Sequence, residues 1–251
     1  MPKPFSAKRL LDVFAQWQTE LPWNALYLES HDQPRIVSHY GDDGKYWSQS
    51  AKMLGTLELT LRGTPFIYEG QEIGMTNAQF QSIDELNDVE SRNVDTLMRS
   101  FFIPKFLRRK WVLMASRDNA RTPVQWSAEK NAGFTTGKPW LPVTQNYQRI
   151  NYEAQDKDPA SVLNYYRRLI ALRAGSDTLK YGEFQPLFAR RRVMAYRREL
   201  DGDKVTVVLS FSKRRQRVNA RGSVLMDTYE KTQFDGVLEP YEAVVLREQS
   251  L

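Results

Sequence analysis

A chain of 251 residues that is 41% hydrophobic and 26% charged has an ordinary globular composition, with room for one large domain or two smaller ones. It contains no cysteine, which excludes disulfides and thiolate metal sites. The net charge is +6, but the basic clusters lie in separate runs (105–110, 190–192, 213–217), which is typical of solvated surface. Since the sequence shows no signal-peptide core and no apolar run of membrane-spanning length, we expect a cytoplasmic protein without nucleic-acid or membrane partners.

The first third of the chain alternates predicted helices and strands. Apolar residues at helical spacing predict helices over 7–18 and 45–62. Short apolar runs predict strands over 25–28 and 64–68, and a polar loop over 29–43 leads from the first strand to the second helix. This helix–strand–helix–strand order indicates parallel βα units, so we expect an α/β fold.

The middle of the chain, from 76 to 158, has no clear periodicity and mixes Asn, Gly and Pro with charged residues and scattered aromatics. Irregular segments of this length usually have a function, such as forming the rim of a binding site. A third helix is predicted over 160–174, because Pro159 stands at its first turn and Gly175 at its end. We expect the first domain to end soon after this helix, at residue 177.

The last part of the chain, 178–251, is predicted to be a small antiparallel all-β domain. Turn signals such as Asp201-Gly202 separate its apolar runs. The basic run 213–217 falls between two of these runs and predicts a charged hairpin loop. The predicted strands are 193–196, 205–211, 223–227 and 243–246.

A histidine and a carboxylate, His31 and Asp32, stand side by side where the first predicted strand enters its loop. Strand ends are where α/β barrels hold catalytic groups, since the strand fixes the backbone while the loop turns side chains towards the cavity. Taken alone, the pair is more often a structural hydrogen-bonded pair. Further strings are hard to explain by packing: GTPFIYEGQEIGMTN (63–77), RDNARTPVQW (117–126), NAGFTTGKPW (131–140) and NYQRIN (146–151).

Together with WNALYLESHDQPR (23–35), these strings resemble the C-terminal part of the α-amylase family, glycoside hydrolase family 13. Within it the resemblance is to the oligo-1,6-glucosidase, glucan 1,6-alpha-glucosidase (dextran glucosidase) and trehalose-6-phosphate hydrolase group. It implies the last strands and helices of a (β/α)8 TIM barrel, from about helix 6 to helix 8 with a long loop region after strand 8. A small antiparallel β-sandwich domain would follow.

The resemblance also implies roles for three residues. Asp32 matches the carboxylate that stabilises the transition state, and a fixed anion there binds the developing positive charge preferentially. His31 matches a histidine that binds the same sugar ring, and Arg121 an arginine at its non-reducing end, which favours exo-attack. No metal and no cofactor is implied. Scaffold roles are expected for Gly63, Gly70 and Glu72, while Tyr68, Trp126 and Trp140 offer aromatic faces that serve either sugar stacking or packing.

Three departures from the family pattern put substrate preference in question. Ser30 replaces the asparagine that usually precedes the His-Asp pair, and His39 stands where an arginine is common. Glu69 and Gln71 exchange the usual Gln and Glu. Each is a modest chemical change close to the expected site.

A larger departure is the absence of the nucleophile and acid/base, which retaining glycosidases need and which this family carries on earlier strands. Glu72, Asp88 and Glu90 are carboxylates, but their local patterns do not recreate the missing motifs. We therefore expect a fragment of an exo-acting α-glucosidase that is inactive alone and whose partners are a small α-glucoside and the missing N-terminal barrel portion. The alternatives are a non-catalytic sugar-binding or interaction module on the same fold, and a basic nucleic-acid-binding protein.

Overall fold

The computed structural model describes residues 5–248, so the outermost parts of the two predicted domains, 1–4 and 249–251, lie outside it. The helices are α1 (Ala7–Glu20), α2 (Ile36–Tyr40), α3 (Trp47–Thr60), α4 (Val89–Ser100), α5 (Lys105–Ala115), α6 (Tyr152–Asp156), α7 (Val162–Ala174) and α8 (Asp177–Tyr181). The strands are β1 (Ala25–Leu26), β2 (Thr64–Pro65), β3 (Glu183–Arg190), β4 (Val193–Leu200), β5 (Asp203–Ser210), β6 (Gln216–Arg217), β7 (Ser223–Asp227), β8 (Val237–Leu238) and β9 (Ala243–Arg247).

The strands β1 and β2 pair in parallel, as the βα order predicts, although each is shorter than expected. The backbone N–H of Thr64 donates to the carbonyl of Asn24 at 2.8 Å, just where the two strands begin. Gly63 precedes this contact with φ 141°, and a Cβ at this position would lie 2.2 Å from the Asn24 carbonyl oxygen. Only glycine allows the two backbones to approach so closely here.

The predicted helices over 7–18, 45–62 and 160–174 are confirmed as α1, α3 and α7. Helix α1 begins at Ser6, whose hydroxyl accepts from the backbone N–H of Arg9, and α7 begins at Ser161 in the same way. Helix α3 is buried on nearly all sides over its last eleven residues, so it is the central helix of the first part. The predicted loop over 29–43 is wrong in part, because α2 lies inside it.

The segment 76–158 is more regular than predicted, since α4, α5 and α6 lie inside it, and α4 and α5 pack against each other. Helix α4 begins at Asp88, whose carboxylate accepts from the backbone N–H of Glu90 and from the hydroxyl of Ser91 at 2.6 Å. The buried residues of α4 are the polar Ser91 and Asp95, and those of α5 include Arg108, so apolar periodicity does not mark this pair. The prediction of a wholly irregular region is therefore wrong over these helices.

The second part contains a five-stranded antiparallel sheet in the order β3-β4-β5-β9-β7. Four of its strands are predicted from the sequence. The edge strand β3 is not, because most of its side chains are exposed and give no apolar alternation. The run 213–217 is not a simple hairpin loop, because its last two residues form β6, which pairs with β8.

One face of this sheet packs on the helices and shares a continuous hydrophobic core with them. The core joins both sides of the predicted domain boundary, with Leu54 and Leu57 of α3 and Tyr165 of α7 in the same cluster as Tyr196 and Val207 of the sheet. The other face is covered in part by β8, through Leu238.

Two buried arginines connect the sheet and α7 to the end of α3. The guanidinium of Arg173 donates to the carbonyls of Leu59, Leu61 and Gly63 at 2.6–2.8 Å. The guanidinium of Arg198 on β4 donates to the carbonyls of Thr60, Leu179 and Gly182. Carbonyls at a helix C-terminus lack intrahelical partners, and here cationic side chains satisfy them.

Candidate functional site

The predicted pair His31 and Asp32 lies in the turn that follows β1, at the carboxyl end of the parallel strand pair. Both side chains are well exposed, 69% for His31 and 54% for Asp32. The imidazole Nε2 is 3.3 Å from Asp32 Oδ2. The two side chains therefore lie at the surface, where a ligand can reach them.

The structure brings Arg121 to the same place. Its Nη2 donates to Asp32 Oδ1 at 3.1 Å, and its Nε donates to the backbone carbonyl of His31 at 2.8 Å. The three residues that the sequence singles out thus form one cluster. Two hydrogen bonds from one guanidinium fix both the backbone and the carboxylate of the turn.

A second arginine, Arg117, contacts the same carboxylate and is not singled out from the sequence. Its Nη1 is 3.4 Å from Asp32 Oδ1 and 3.3 Å from Glu90 Oε2. Because Asp32 Oδ1 is held by both arginines, Oδ2 is left facing His31 and the open side. Arg117 could have been identified from the sequence, because it lies in the same string, 117–126, four residues before Arg121.

Arg117 is itself held by the buried carboxylate of Asp88, with Nε 3.0 Å and Nη2 2.5 Å from Oδ1. Burial alone would raise the pKa of Asp88, but the hydrogen bonds from Arg117 and Ser91 outweigh it and lower this pKa to about 2. Asp88 is therefore ionised at neutral pH and holds Arg117 against Asp32.

Asp118 fixes the backbone beneath this cluster. It is fully buried, and its Oδ2 accepts from the backbone N–H groups of Asn87 at 2.6 Å and Asp88 at 2.9 Å. The short 3-10 helix Arg117–Asn119 is thereby attached to the start of α4. Arg117 and Asp88 consequently have a defined relative position.

Arg35, in the loop between β1 and α2, is completely buried behind the site. Its Nη1 lies 3.1 Å from Glu29 Oε2 and donates to the carbonyl of Glu69 at 2.7 Å, while its Nη2 donates to the carbonyl of Ala120 at 3.2 Å. Its guanidinium also lies over the ring of Tyr68. This one side chain joins the segments after β1, after β2 and before Arg121.

Gln71 faces inward and away from Asp32. Its Nε2 donates to Glu58 Oε2 at 2.5 Å and to the hydroxyl of Tyr166 at 3.3 Å. Burial raises the pKa of Glu58 to about 8, although the Gln71 hydrogen bond opposes the shift. At residue 69 the backbone carbonyl makes the contact with Arg35 and the side chain is exposed, so it is Gln71 that packs behind the site.

The other residues named from the sequence lie around this cluster. Tyr68 donates to the Ala120 carbonyl at 3.3 Å, which favours the packing alternative for its ring. Glu72 is half-buried, and burial raises its pKa. Trp126 and Trp140 are exposed, so each leaves an aromatic face open.

Two classes of feature are not found in the part of the chain that the structure describes. Over residues 5–248, no group of three or more His, Asp or Glu side chains is arranged to hold a metal ion. Among the same residues, no helix has the length and apolar character needed to cross a bilayer.

Comparisons with known proteins identify a family and several relatives of this chain. The family described as alpha amylase, catalytic domain, matches residues 2–182. The oligo-1,6-glucosidase of Parageobacillus thermoglucosidasius is 43% identical over 218 residues, covering 84% of this chain and 39% of that protein. The probable oligo-1,6-glucosidase 2 of Bacillus subtilis is 41% identical over 97% of this chain and 46% of its own length.

A solved structure, the trehalose-6-phosphate hydrolase of Bacillus licheniformis, superposes with a TM-score of 0.91 at 38% identity, covering 98% of this chain and 48% of that one. The chain thus spans less than half the length of these relatives. The similarity indicates a TIM-barrel α/β fold for the matched part. The match extends over most of the residues that carry the site, and the chain belongs to the alpha-amylase family.

Proposed function

We propose that this chain provides the sugar-binding, transition-state-stabilising wall of a retaining, exo-acting α-glucosidase for α-1,6 or related bonds of short oligosaccharides. The observation that carries the proposal is how the two carboxylate oxygens of Asp32 are placed. One carboxylate oxygen is held by two arginines, and the other is exposed beside His31. Such an anion is fixed in place before the sugar arrives.

The chemistry follows from where charge develops during glycoside cleavage. The anomeric carbon gains positive charge only in the transition state, so a preorganised carboxylate stabilises that state more than the bound substrate. His31 and Arg121 would donate to hydroxyls of the same ring. An arginine at the end of the ring limits further sugar units on that side, which favours attack at chain ends.

We further propose that the chain is inactive alone, because a retaining mechanism needs a nucleophile and an acid/base in addition to Asp32. Residues 1–177 would form the last strands and helices of the barrel, and residues 178–251 a β-sandwich domain. The missing N-terminal barrel portion, in the cytoplasm, would complete the enzyme. The relatives' printed names and the chain's coverage of less than half of their length support this.

Calorimetry with isomaltose tests the sugar-binding role on the chain as it exists. We expect saturable binding that weakens by roughly tenfold or more in Asp32→Ala and Arg121→Ala, since each removes a charged hydrogen bond. Asp12→Ala is the matched control, because Asp12 is an exposed carboxylate of α1 that pairs with Lys8. Unchanged binding in the two site variants would contradict the proposal.

Hydrolysis of 4-nitrophenyl α-glucoside tests the second part. We expect no turnover by the chain alone. Turnover that disappears in Asp32→Ala would overturn the inactivity proposal while supporting the role of Asp32.

A further inference from the structure

A cavity of about 140 Å³ lies where α4, α5 and the segment around the short 3-10 helix Ile83–Glu85 meet. Among the described residues that line it, none belongs to the cluster around Asp32. The cavity therefore lies outside the candidate sugar site. Its charged lining consists of four cationic side chains and two carboxylates: Arg99, Lys105, Arg108, Arg109, Asp84 and Asp95.

The two carboxylates already have partners within the fold. Asp95 Oδ1 accepts from the guanidinium of Arg108, and its Oδ2 accepts from Nη2 of Arg99 at 3.4 Å. Asp84 Oδ2 accepts from the hydroxyl of Ser82 at 2.9 Å. The side chain of Arg108 is only 9% exposed, so its charge is fixed between the two helices. The lining as a whole keeps more positive than negative charge.

Lys105 and Arg109 carry the positive charge that is not compensated. Over residues 5–248, neither side chain makes an ion pair or a hydrogen bond. Arg108 uses Nε and Nη1 for its contacts in this part of the chain, so its Nη2 remains as a donor. Lys105 is also the first residue of α5, which begins after Pro104 without a side-chain cap. The free N–H groups of this helix end add partial positive charge.

We propose that this cavity binds a phosphate group, either free phosphate or the phosphate of a small monoester. Guanidinium groups donate to phosphate oxygens in pairs, and phosphate carries close to two negative charges at neutral pH. The volume holds on the order of five heavy atoms, which suits one phosphate group and excludes a sugar ring. The basic run 105–110, typical of solvated surface by sequence alone, thus has a part that binds a ligand. This inference does not depend on the proposed function.

Thermal unfolding at increasing phosphate concentration tests the site on the whole chain, with sodium chloride at matched ionic strength as the reference. We expect phosphate to raise the Tm of the wild type saturably, because a ligand that binds only the folded state stabilises it. Arg109→Gln should weaken the apparent phosphate affinity roughly tenfold, since it removes a charged donor. Lys110→Gln is the matched control, because Lys110 is an exposed cation of α5 that does not line the cavity.

Equal phosphate affinities in Arg109→Gln and Lys110→Gln would overturn the proposal. Arg121→Ala checks for binding at the other cationic cluster. If this variant loses the phosphate response and Arg109→Gln keeps it, phosphate binds beside Asp32 and the proposal is wrong.

Phosphorus NMR distinguishes the two sources of the phosphate group. Inorganic phosphate and glycerol 3-phosphate are titrated against the same chain, and we expect a saturable shift for at least one of them. Tighter binding of glycerol 3-phosphate identifies a monoester as the ligand, whereas equal or weaker binding identifies free phosphate. Lys105→Gln should weaken the binding roughly tenfold while its circular dichroism spectrum stays that of the wild type. Absence of a saturable shift with both probes overturns the inference.

Discussion

Arg117 and Asp88 form an ion pair in which the carboxylate is almost completely buried and the guanidinium reaches onward to Asp32. The buried carboxylate of Asp88 holds the positively charged guanidinium of Arg117 in place at the site. Without Arg117 the buried carboxylate of Asp88 keeps only the Ser91 hydroxyl and the Glu90 N–H as described partners, so Arg117→Gln should clearly lower the urea midpoint of unfolding. Arg109→Gln, an exposed change on α5, should lie within about 0.5 kcal/mol of wild type, and equal effects of the two variants would argue against the pair's importance.

The lowered pKa of Asp88 predicts a specific acid sensitivity. The group is ionised in the fold down to a pKa of about 2, against 3.8 for the free side chain. Its contribution to stability is therefore complete above pH 3.8 and is lost as the pH falls towards 2, with a total of about 2 kcal/mol. We expect the stability difference between wild type and Asp88→Asn to shrink between pH 5 and pH 2.5. A difference that stays constant over this range would show that Asp88 is not titrating as described.

The raised pKa of Glu58 predicts the opposite dependence of stability on pH. Its pKa rises from 4.5 to about 8 on folding, so the folded chain holds a proton that the unfolded chain releases above pH 4.5. This group therefore lowers stability as the pH rises from 4.5 to 8, by up to about 5 kcal/mol. Glu58→Gln keeps an acceptor for Gln71 but cannot ionise. We expect its urea midpoint to exceed that of wild type at pH 8 and to match it at pH 5, and a wild-type curve that is flat over this interval would refute the assignment.

Substitutions at Gly63 and Gly202 test whether the close approach of β1 and β2 requires glycine, with Gly202 as the control. Both have positive φ, but a Cβ at Gly63 would meet the Asn24 carbonyl at 2.2 Å, whereas at Gly202 nothing lies within 4 Å. Gly202→Ala should cost only about 1 kcal/mol of backbone strain. Gly63→Ala should cost several kcal/mol, since the strands must move apart. Similar decreases in thermal stability for both variants would show that the close contact between β1 and β2 does not depend on glycine at residue 63.

The sequence patterns predict the elements that are buried on a regular face. Helices α1, α3 and α7 bury apolar residues at helical intervals, and β4, β5, β7 and β9 alternate or run through a core, so periodicity finds them. Strand β3 is missed because most of its side chains are exposed. Helices α4 and α5 are missed because polar residues such as Asp95 and Arg108 occupy their buried faces. Asp88 is an N-cap residue and so marks the start of α4, but a search for apolar periodicity does not detect such a residue.

The candidate site also contains some residues that the sequence predicts and others that only the structure identifies. Asp32, His31 and Arg121 are named from the family pattern, and the structure brings them within hydrogen-bonding range. Arg117 and the buried Asp88 are not assigned roles, because their pairing depends on how the start of α4 packs against the 3-10 helix at 117–119. Contacts between segments that are 29 residues apart have no signature in local sequence.

The two buried arginines at the end of α3 limit where this polypeptide can be shortened. Arg173 and Arg198 occupy carbonyls that would otherwise face an apolar interior, and Arg198 comes from the sheet. A shortened chain that stops after α8 would leave the Thr60 carbonyl, at the carboxyl end of α3, without the guanidinium of Arg198. We therefore expect a minimal version of this protein to retain the sheet through β9, because the sheet shares a core and a buried arginine contact with the helices.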